Sequence, residues 1–205
     1  MIEMKILLVG EGPGELGGRS GEKAYQTDSP GVLEALLKKV QSSGWEIADS
    51  IQWMYIRKYK AGGFRSAEQR NVKGLYNLAK EKGYDALAFA RDRDGDKQRQ
   101  ELIEGAIAEL LKEHPQGPGI IGGMVVEKLE AWILALAGKN KSENTKHPEK
   151  RLGEITLEPM TLSQMLAVVA ETDLSKIPKD AQSLNTWLER ARAVLGSSEP
   201  SSGRG

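Results

Sequence analysis

The residues best suited to chemistry are three aspartates that follow a short apolar run. Residues 85–96 read DALAFARDRDGD, which places Asp92, Asp94 and Asp96 at alternate positions. Side chains two residues apart lie on the same side of an extended backbone. Carboxylate oxygens are the ligands that hard cations such as Mg2+ or Mn2+ prefer. The spacing therefore predicts that Asp92 and Asp94 bind one divalent cation.

A second acidic residue follows another apolar run. Residues 5–9 read KILLV, and Glu11 lies just beyond them in the glycine-rich sequence GEGPGE. Parallel strands bring their carboxyl ends to one edge of a sheet, where ligands bind. If the two strands are neighbours, Glu11 joins the aspartates. Three close carboxylates repel one another and raise at least one pKa, and a divalent cation removes that penalty.

Strand and helix patterns alternate along the chain in a way that would position these acids. We predict strands at 5–9, 45–56, 85–90 and 120–126, with amphipathic helices between them. Ser29 and Pro30 indicate one helix start, and Ser66 with Gln69 indicates another. This alternation predicts an α/β fold with a four-stranded, mainly parallel, Rossmann-like sheet flanked by helices.

The domain organisation follows from changes in composition along the chain. We predict an α/β domain at 1–138 and a polar, lysine-rich lid or linker loop at 139–160. A small helical appendage packed on the core is predicted at 161–195, followed by a disordered tail at 196–205. The predicted helix at 127–137 carries Glu127 and Glu130 on one face, so either glutamate could face the acids.

Basic residues provide candidate contacts to a phosphate backbone. Arg57, Lys58, Lys60 and Arg65 are interleaved with aromatic residues in a glycine-containing loop, and Arg91 precedes the aspartates. Such a loop can bind phosphates and stack a base, although a solvated turn has the same composition. The 29 acidic and 29 basic residues balance, so any contact with a polyanion must be local.

The amino-acid composition also restricts the cellular compartment that we expect for this protein. The chain has no cysteine, which excludes disulfides and thiolate metal sites and fits a reducing compartment. Its apolar runs are too short for a signal sequence or a membrane span. We expect a cytoplasmic protein that does not enter the membrane.

The paired motifs EGPGE and DRDGD, each after an apolar strand, resemble those of Toprim domains, which occur in topoisomerases, primases and several nucleases. The resemblance implies that Glu11 is a general acid or base. It also implies that Asp92 and Asp94 bind Mg2+, with Asp96 as a less certain third ligand. The chain has no zinc-binding module and no topoisomerase tyrosine context.

The run EAWIL at 130–134 resembles a motif of small stand-alone bacterial Toprim-like proteins, the RloB-like group. This resemblance implies a site role for Glu130, an ATPase partner and a place in phage defence. We therefore expect a nuclease that depends on Mg2+ or Mn2+ and acts on DNA or RNA. A non-catalytic or conditional subunit of an ATPase complex is the main alternative. A phosphatase or nucleotidyl transferase acting on a small phosphorylated substrate is a weaker one.

Overall fold

The protein is built around a parallel β-sheet. A computed structural model describes residues 3–20, 29–59, 66–156 and 160–196. The sheet contains four strands, β1 (Met4–Gly10), β2 (Trp45–Gln52), β3 (Ala86–Phe89) and β5 (Gly119–Ile121), in the order β2-β1-β3-β5. Two short strands, β4 (Arg91–Asp92) and β6 (Met124–Val125), form a separate parallel pair. The predicted fold class, a Rossmann-like parallel sheet flanked by helices, is confirmed.

Helices cover both faces of this sheet. They are α1 (Pro13–Leu16), α2 (Val32–Val40), α3 (Ala67–Glu81), α4 (Lys97–Glu113), α5 (Leu129–Leu136), α6 (Pro148–Thr156), α7 (Leu162–Glu171) and α8 (Gln182–Gly196). The helices α3 and α4 pack on one face, whereas α2, α5, α7 and α8 contribute to the core on the other. Among the described residues, no helix has both the length and the apolar character needed to cross a membrane.

The central strand β1 shows why the sheet is covered on both sides. Its residues Ile6 and Leu8 belong to one core cluster, whereas Leu7 and Val9 belong to the other. All four side chains are fully buried. A strand buried on both faces reads as a continuous apolar run, and KILLV is such a run.

The strand predicted at 120–126 is interrupted in the middle. At Gly122 a Cβ atom would lie 2.1 Å from the ring of Phe89, so the chain passes too close to that ring for a larger residue. The carbonyl of Gly122 accepts a hydrogen bond from Arg190 of α8, and Arg190 also pairs with Glu104 of α4 at 2.6 Å. The interruption separates β5, which pairs with β3, from β6, which pairs with β4. The hydrogen bond from Arg190 of α8 stabilises the backbone between them.

Several predicted boundaries were wrong. The helix near Ser29 begins at Val32 with Gly31 as its N-cap, and the strand predicted to reach residue 56 ends at Gln52. A 3-10 helix, Trp53–Tyr59, follows that strand. The N-cap at Ser66 is confirmed, because its side chain accepts a hydrogen bond from the amide of Gln69 at 3.3 Å.

The segment 139–160, predicted as a polar loop, contains α6 and a 3-10 helix, Ser142–Asn144. Leu152 of α6 is buried in the core, so the prediction of a loop was wrong for the described part of this segment. The predicted helices α7 and α8 are confirmed, and their buried residues extend the core beneath the sheet. Residues 197–205 of the predicted tail lie outside the described residues.

We predict that Arg190→Ala lowers the free energy of unfolding by about 1–2 kcal/mol, because the Gly122 carbonyl and Glu104 lose a charged donor. The expected loss of stability is modest because the Arg190 side chain is partly exposed. Urea unfolding measures the change. Arg192→Ala on the same helix is the matched control, because Arg192 is exposed. Equal destabilisation by both variants would contradict the role assigned to Arg190.

Candidate functional site

The two acidic motifs meet at the carboxyl edge of the sheet. The strands β1 and β3 are adjacent and parallel, with Val9 opposite Phe89. Just beyond these ends, Glu11 accepts hydrogen bonds from the backbone amide of Asp92 at 2.8 Å and from the Arg91 guanidinium. The prediction that the ends of the first and third strands approach each other is confirmed.

A sharp reversal after β1 brings a further acid, Glu15, over the strand end. A Cβ atom on Gly10 would lie 2.5 Å from the Cβ of Glu15, so glycine is required for the close approach. The Glu15 carboxylate accepts a hydrogen bond from the amide of Gly12 at 3.0 Å. Glu15 is only 6% exposed. The pKa of Glu15 is raised to about 7, mainly because the carboxyl group is buried. Backbone hydrogen bonds oppose this rise, and the charges of Glu11 and Glu130 add to it.

Asp92 lies at the centre of these acids. Its strand β4 pairs with β6, which places Asp92 opposite Val125 and fixes its backbone. The carboxyl oxygen Oδ1 is buried and has no hydrogen-bond partner among the described residues. Burial, together with the charges of nearby carboxylates, raises the pKa of Asp92 to about 8. Those carboxylates complete what we call the acidic cluster: Asp92 with Glu11, Glu15, Asp94 and Glu130.

Asp94 and Asp96 do not continue the extended backbone of Asp92. Asp94 has a φ of +50°, in a left-handed turn that aspartate tolerates better than most residues. Its carboxylate is half exposed and accepts a hydrogen bond from Arg99 at 3.2 Å. Asp96 is the N-cap of α4 and accepts from the amide of Arg99 at 3.2 Å. The extended backbone that predicted one shared side for Asp92 and Asp94 therefore ends at Asp92.

The two candidate glutamates after β6 are separated by the structure. Glu130 lies in the first turn of α5 and contributes its charge to the acidic cluster. Glu127 precedes α5 with a φ of +68°, so the prediction that it belongs to the helix was wrong. Its carboxylate pairs with Arg93, and its carbonyl accepts from the amide of Asp94 at 3.2 Å.

A group of arginines surrounds the acids. Arg99 donates to the carbonyl of Asp92 at 2.8 Å and pairs with Glu68 of α3 at 3.2 Å. Arg91 lies over the ring of Trp53, with its guanidinium carbon 5.4 Å from the ring centroid. Sequence reasoning missed Glu68 and Arg99 as part of the site. Arg99 follows Asp96 by only three residues, and this proximity was a visible signal, whereas nothing in the sequence near Glu68 indicated its role.

The predicted substrate-binding residues are only partly placed. Arg57 and Lys58 belong to the 3-10 helix at the carboxyl end of β2, which is the same edge of the sheet. Lys60 and Arg65 lie outside the described residues. The Arg91 side chain is 15% exposed and bonded to Glu11, so it supports the acidic cluster more directly than it faces a ligand.

The carboxylate oxygens of the acidic cluster suit a hard divalent cation, although the side chains do not surround a common point. Within the described ranges, no group of three or more acidic or histidine side chains is arranged to hold a metal ion. The buried, unpaired Oδ1 of Asp92 nevertheless provides an oxygen donor, and two of its acidic neighbours lie on separate loops. A cation would neutralise the like charges that raise the pKa of Asp92 and Glu15. The chemistry of the residues therefore fits Mg2+ or Mn2+.

Comparisons with protein-family models, with curated proteins and with solved structures found no match to this chain.

We predict that the free energy of unfolding falls as the pH rises from about 4 to about 8 in the presence of a chelator. An acid whose pKa is raised in the folded state keeps a proton that the unfolded chain releases over that window, so the native state loses stability as the pH rises. Asp92→Asn removes most of this dependence and stabilises the protein at pH 8 by about 2–3 kcal/mol, allowing for partial solvation.

Urea unfolding at pH 5 and pH 8 measures this effect. The control is Asp96→Asn, because Asp96 is exposed and asparagine caps helices equally well. Glu15 leaves a residual slope in the Asp92 variant, because its pKa is also raised. An identical pH dependence in the wild type and in Asp92→Asn would contradict the raised pKa of Asp92.

Proposed function

We propose that this protein is a phosphodiester hydrolase of Toprim type that depends on Mg2+ or Mn2+ and cleaves nucleic acid. The observation that carries the proposal is the buried, unpaired carboxyl oxygen of Asp92 among four other acids. These acids lie at the carboxyl edge of adjacent parallel strands, the usual ligand edge of such sheets. In Toprim domains, which the EGPGE and DRDGD motifs resemble, the metal-binding residues and the general acid or base follow the corresponding strands.

In this proposal Asp92, Asp94 and Glu11 hold the cation. A divalent ion bound there supplies Lewis-acid polarisation of the phosphodiester and lowers the pKa of bound water. The backbone amide of Asp92 and the Arg91 guanidinium orient the Glu11 carboxylate. The Asp94 carboxylate, which lies in the left-handed turn, is half exposed and therefore accessible to a cation.

The remaining carboxylates are suited to moving protons. A general acid or base works best with a pKa near the working pH, and burial raises the pKa of Glu15 to about 7. Glu11 and Glu130 lie close enough to influence that titration. We therefore add Glu15 to Glu11 and Glu130 as candidates for proton transfer to the leaving oxygen.

A conditional subunit of an ATPase complex is the second candidate. The ion pair between Glu11 and Arg91 favours it, because Glu11 must leave this pair to contribute fully to a cation site. A partner that rearranges Arg91 would then control activity. The ATPase itself, and a role in phage defence, rest on the EAWIL resemblance alone. Trp132 of that motif is buried and donates to the Ser183 hydroxyl at 2.7 Å, so its position also has a structural reason.

We predict that the purified protein cleaves single-stranded or double-stranded DNA or RNA in Mg2+ or Mn2+ and that Asp92→Asn lowers the rate by at least about 100-fold. The loss of one charged ligand removes much of the cation's electrostatic stabilisation of the transition state. Asp94→Asn is expected to act in the same direction while keeping the left-handed turn, which asparagine also adopts. Gel-based cleavage of a substrate panel measures these rates.

Asp96→Asn is the matched control for this assay, because it makes the same chemical change two residues from Asp94 and preserves the cap of α4. Its rate should stay within about threefold of the wild type, since an amide cap is equivalent. Metal-dependent cleavage that survives Asp92→Asn would contradict the proposed site. Cleavage that appears only after an ATPase partner is added would favour the conditional subunit.

We predict that Mn2+ at about 100 times its dissociation constant stabilises the fold by about 2.7 kcal/mol, which raises Tm by about 5–10 °C. Asp92→Asn should abolish this shift, whereas Asp96→Asn should retain it. Thermal unfolding with Mn2+ and with a chelator provides the measurement. An equal shift in both variants would place the cation elsewhere in the protein.

A further inference from the structure

A large polar pocket adjoins the acidic cluster at Asp94. It has a volume of about 970 Å³. Its walls come from the turn at 93–95, the start of α4, residues 126–128, residues 143–147 and the start of α8. We infer that this pocket binds the phosphate groups of a nucleotide chain, an inference that rests on the proposed function and names the part of the substrate held beside the acids.

The acids that line this pocket already have partners within the protein. Glu143 is 6% exposed and accepts from the amides of Ser183 at 3.0 Å and Leu184 at 3.2 Å. Asp180 accepts from the amide of Lys141 at 2.8 Å. The remaining two, Glu127 and Asp94, pair with Arg93 and Arg99 respectively. These interactions reduce the repulsion that an anionic ligand would otherwise meet.

The lysines of the pocket, unlike its acids, form no close ion pairs with described residues. Lys97, Lys128 and Lys146 are exposed, and none forms a salt bridge with any described residue. The pKa of Glu149 is lowered mainly by a backbone hydrogen bond, and the charge of Lys128 also helps to lower it, but without a close ion pair. They come from three separate parts of the chain: the first turn of α4, the residue before α5 and the segment before α6. Three exposed ammonium groups around one concavity are suited to a ligand with several negative charges.

The helix ends do not supply this positive charge. The first amides of α8 are used by Glu143, and the cap of α4 is the Asp96 side chain. His147 faces Glu149, with its Nδ1 3.3 Å from that carboxylate. The attraction for phosphate therefore depends on the lysines, which makes it possible to test the pocket by changing them alone.

The volume of the pocket and the side chains that line it restrict the class of ligand that can bind there. A volume of about 970 Å³ is at the upper end of the usual range for small-ligand pockets and accommodates a nucleotide or a short length of strand. The side-chain amides of Gln100, Asn144 and Gln182 line the same walls and offer both donors and acceptors to sugars or bases. Asp94 belongs both to this pocket and to the acidic cluster, so a chain bound by the lysines leads directly to the acids.

The test compares two double variants by fluorescence anisotropy in the presence of a chelator. The probes are a short single-stranded DNA, a short single-stranded RNA and a labelled nucleoside diphosphate. Lys128→Ala with Lys146→Ala should weaken binding of at least one probe by about tenfold or more at low salt. The slope of log affinity against log salt for a single strand should become shallower by about 0.7 for each phosphate that a lysine no longer neutralises.

Lys82→Ala with Lys112→Ala is the matched control, because both lysines are exposed at the far ends of α3 and α4 and make the same change in net charge. This pair should bind the probes as the wild type does. Circular dichroism and Tm establish that both double variants are folded.

The outcomes separate this inference from the proposed function. Binding of none of the probes, or equal weakening by both double variants, overturns the pocket even if Asp92-dependent cleavage is present. Binding that depends on Lys128 and Lys146 without cleavage of any nucleic acid supports the pocket and counts against the nuclease. Tight binding of the oligonucleotides supports a nucleotide chain as the ligand, whereas tight binding of the nucleoside diphosphate alone overturns the chain and indicates a free nucleotide instead.

Discussion

The site depends on the burial of one carboxyl group, that of Asp92, among four other acids. Desolvation and like charges both oppose its ionisation, and together they raise its pKa to about 8. A carboxyl group buried among other carboxylates does not stabilise the folded protein. The surrounding structure must therefore hold the acids together by interactions made elsewhere, and the sheet, the turns and the arginines can each be understood in that way.

Two kinds of interaction hold the acids in place. Backbone pairing of β4 with β6 fixes Asp92, and the pairing continues to the amide of Asp94, which donates to Glu127. The guanidinium groups of Arg91 and Arg99 then supply positive charge on the side of α3. Since arginine remains charged throughout the physiological range, this support does not change with pH, whereas the carboxyl groups it surrounds do titrate.

The sequence was sufficient to predict the meeting of Glu11 and Asp92, because parallel strands necessarily bring their carboxyl ends to one edge. It was not sufficient for Asp94, whose left-handed turn depends on a hydrogen bond to residue 127. The role of Glu68 depends on how α3 packs, which no local pattern encodes. The helix α6 was missed because it has few apolar residues, among which Leu152 packs into the core.

The helix α8 forms hydrogen bonds with residues that lie far away in the sequence. Trp187 donates to the carbonyl of Phe89, 98 residues earlier, and Ser183 accepts from Trp132, 51 residues earlier. Interactions of such long range slow folding, because a large loop must close before they form. During translation, both acidic motifs leave the ribosome well before α8 is synthesised. A nascent chain therefore carries the acids without their final support, and the complete site appears only late in synthesis.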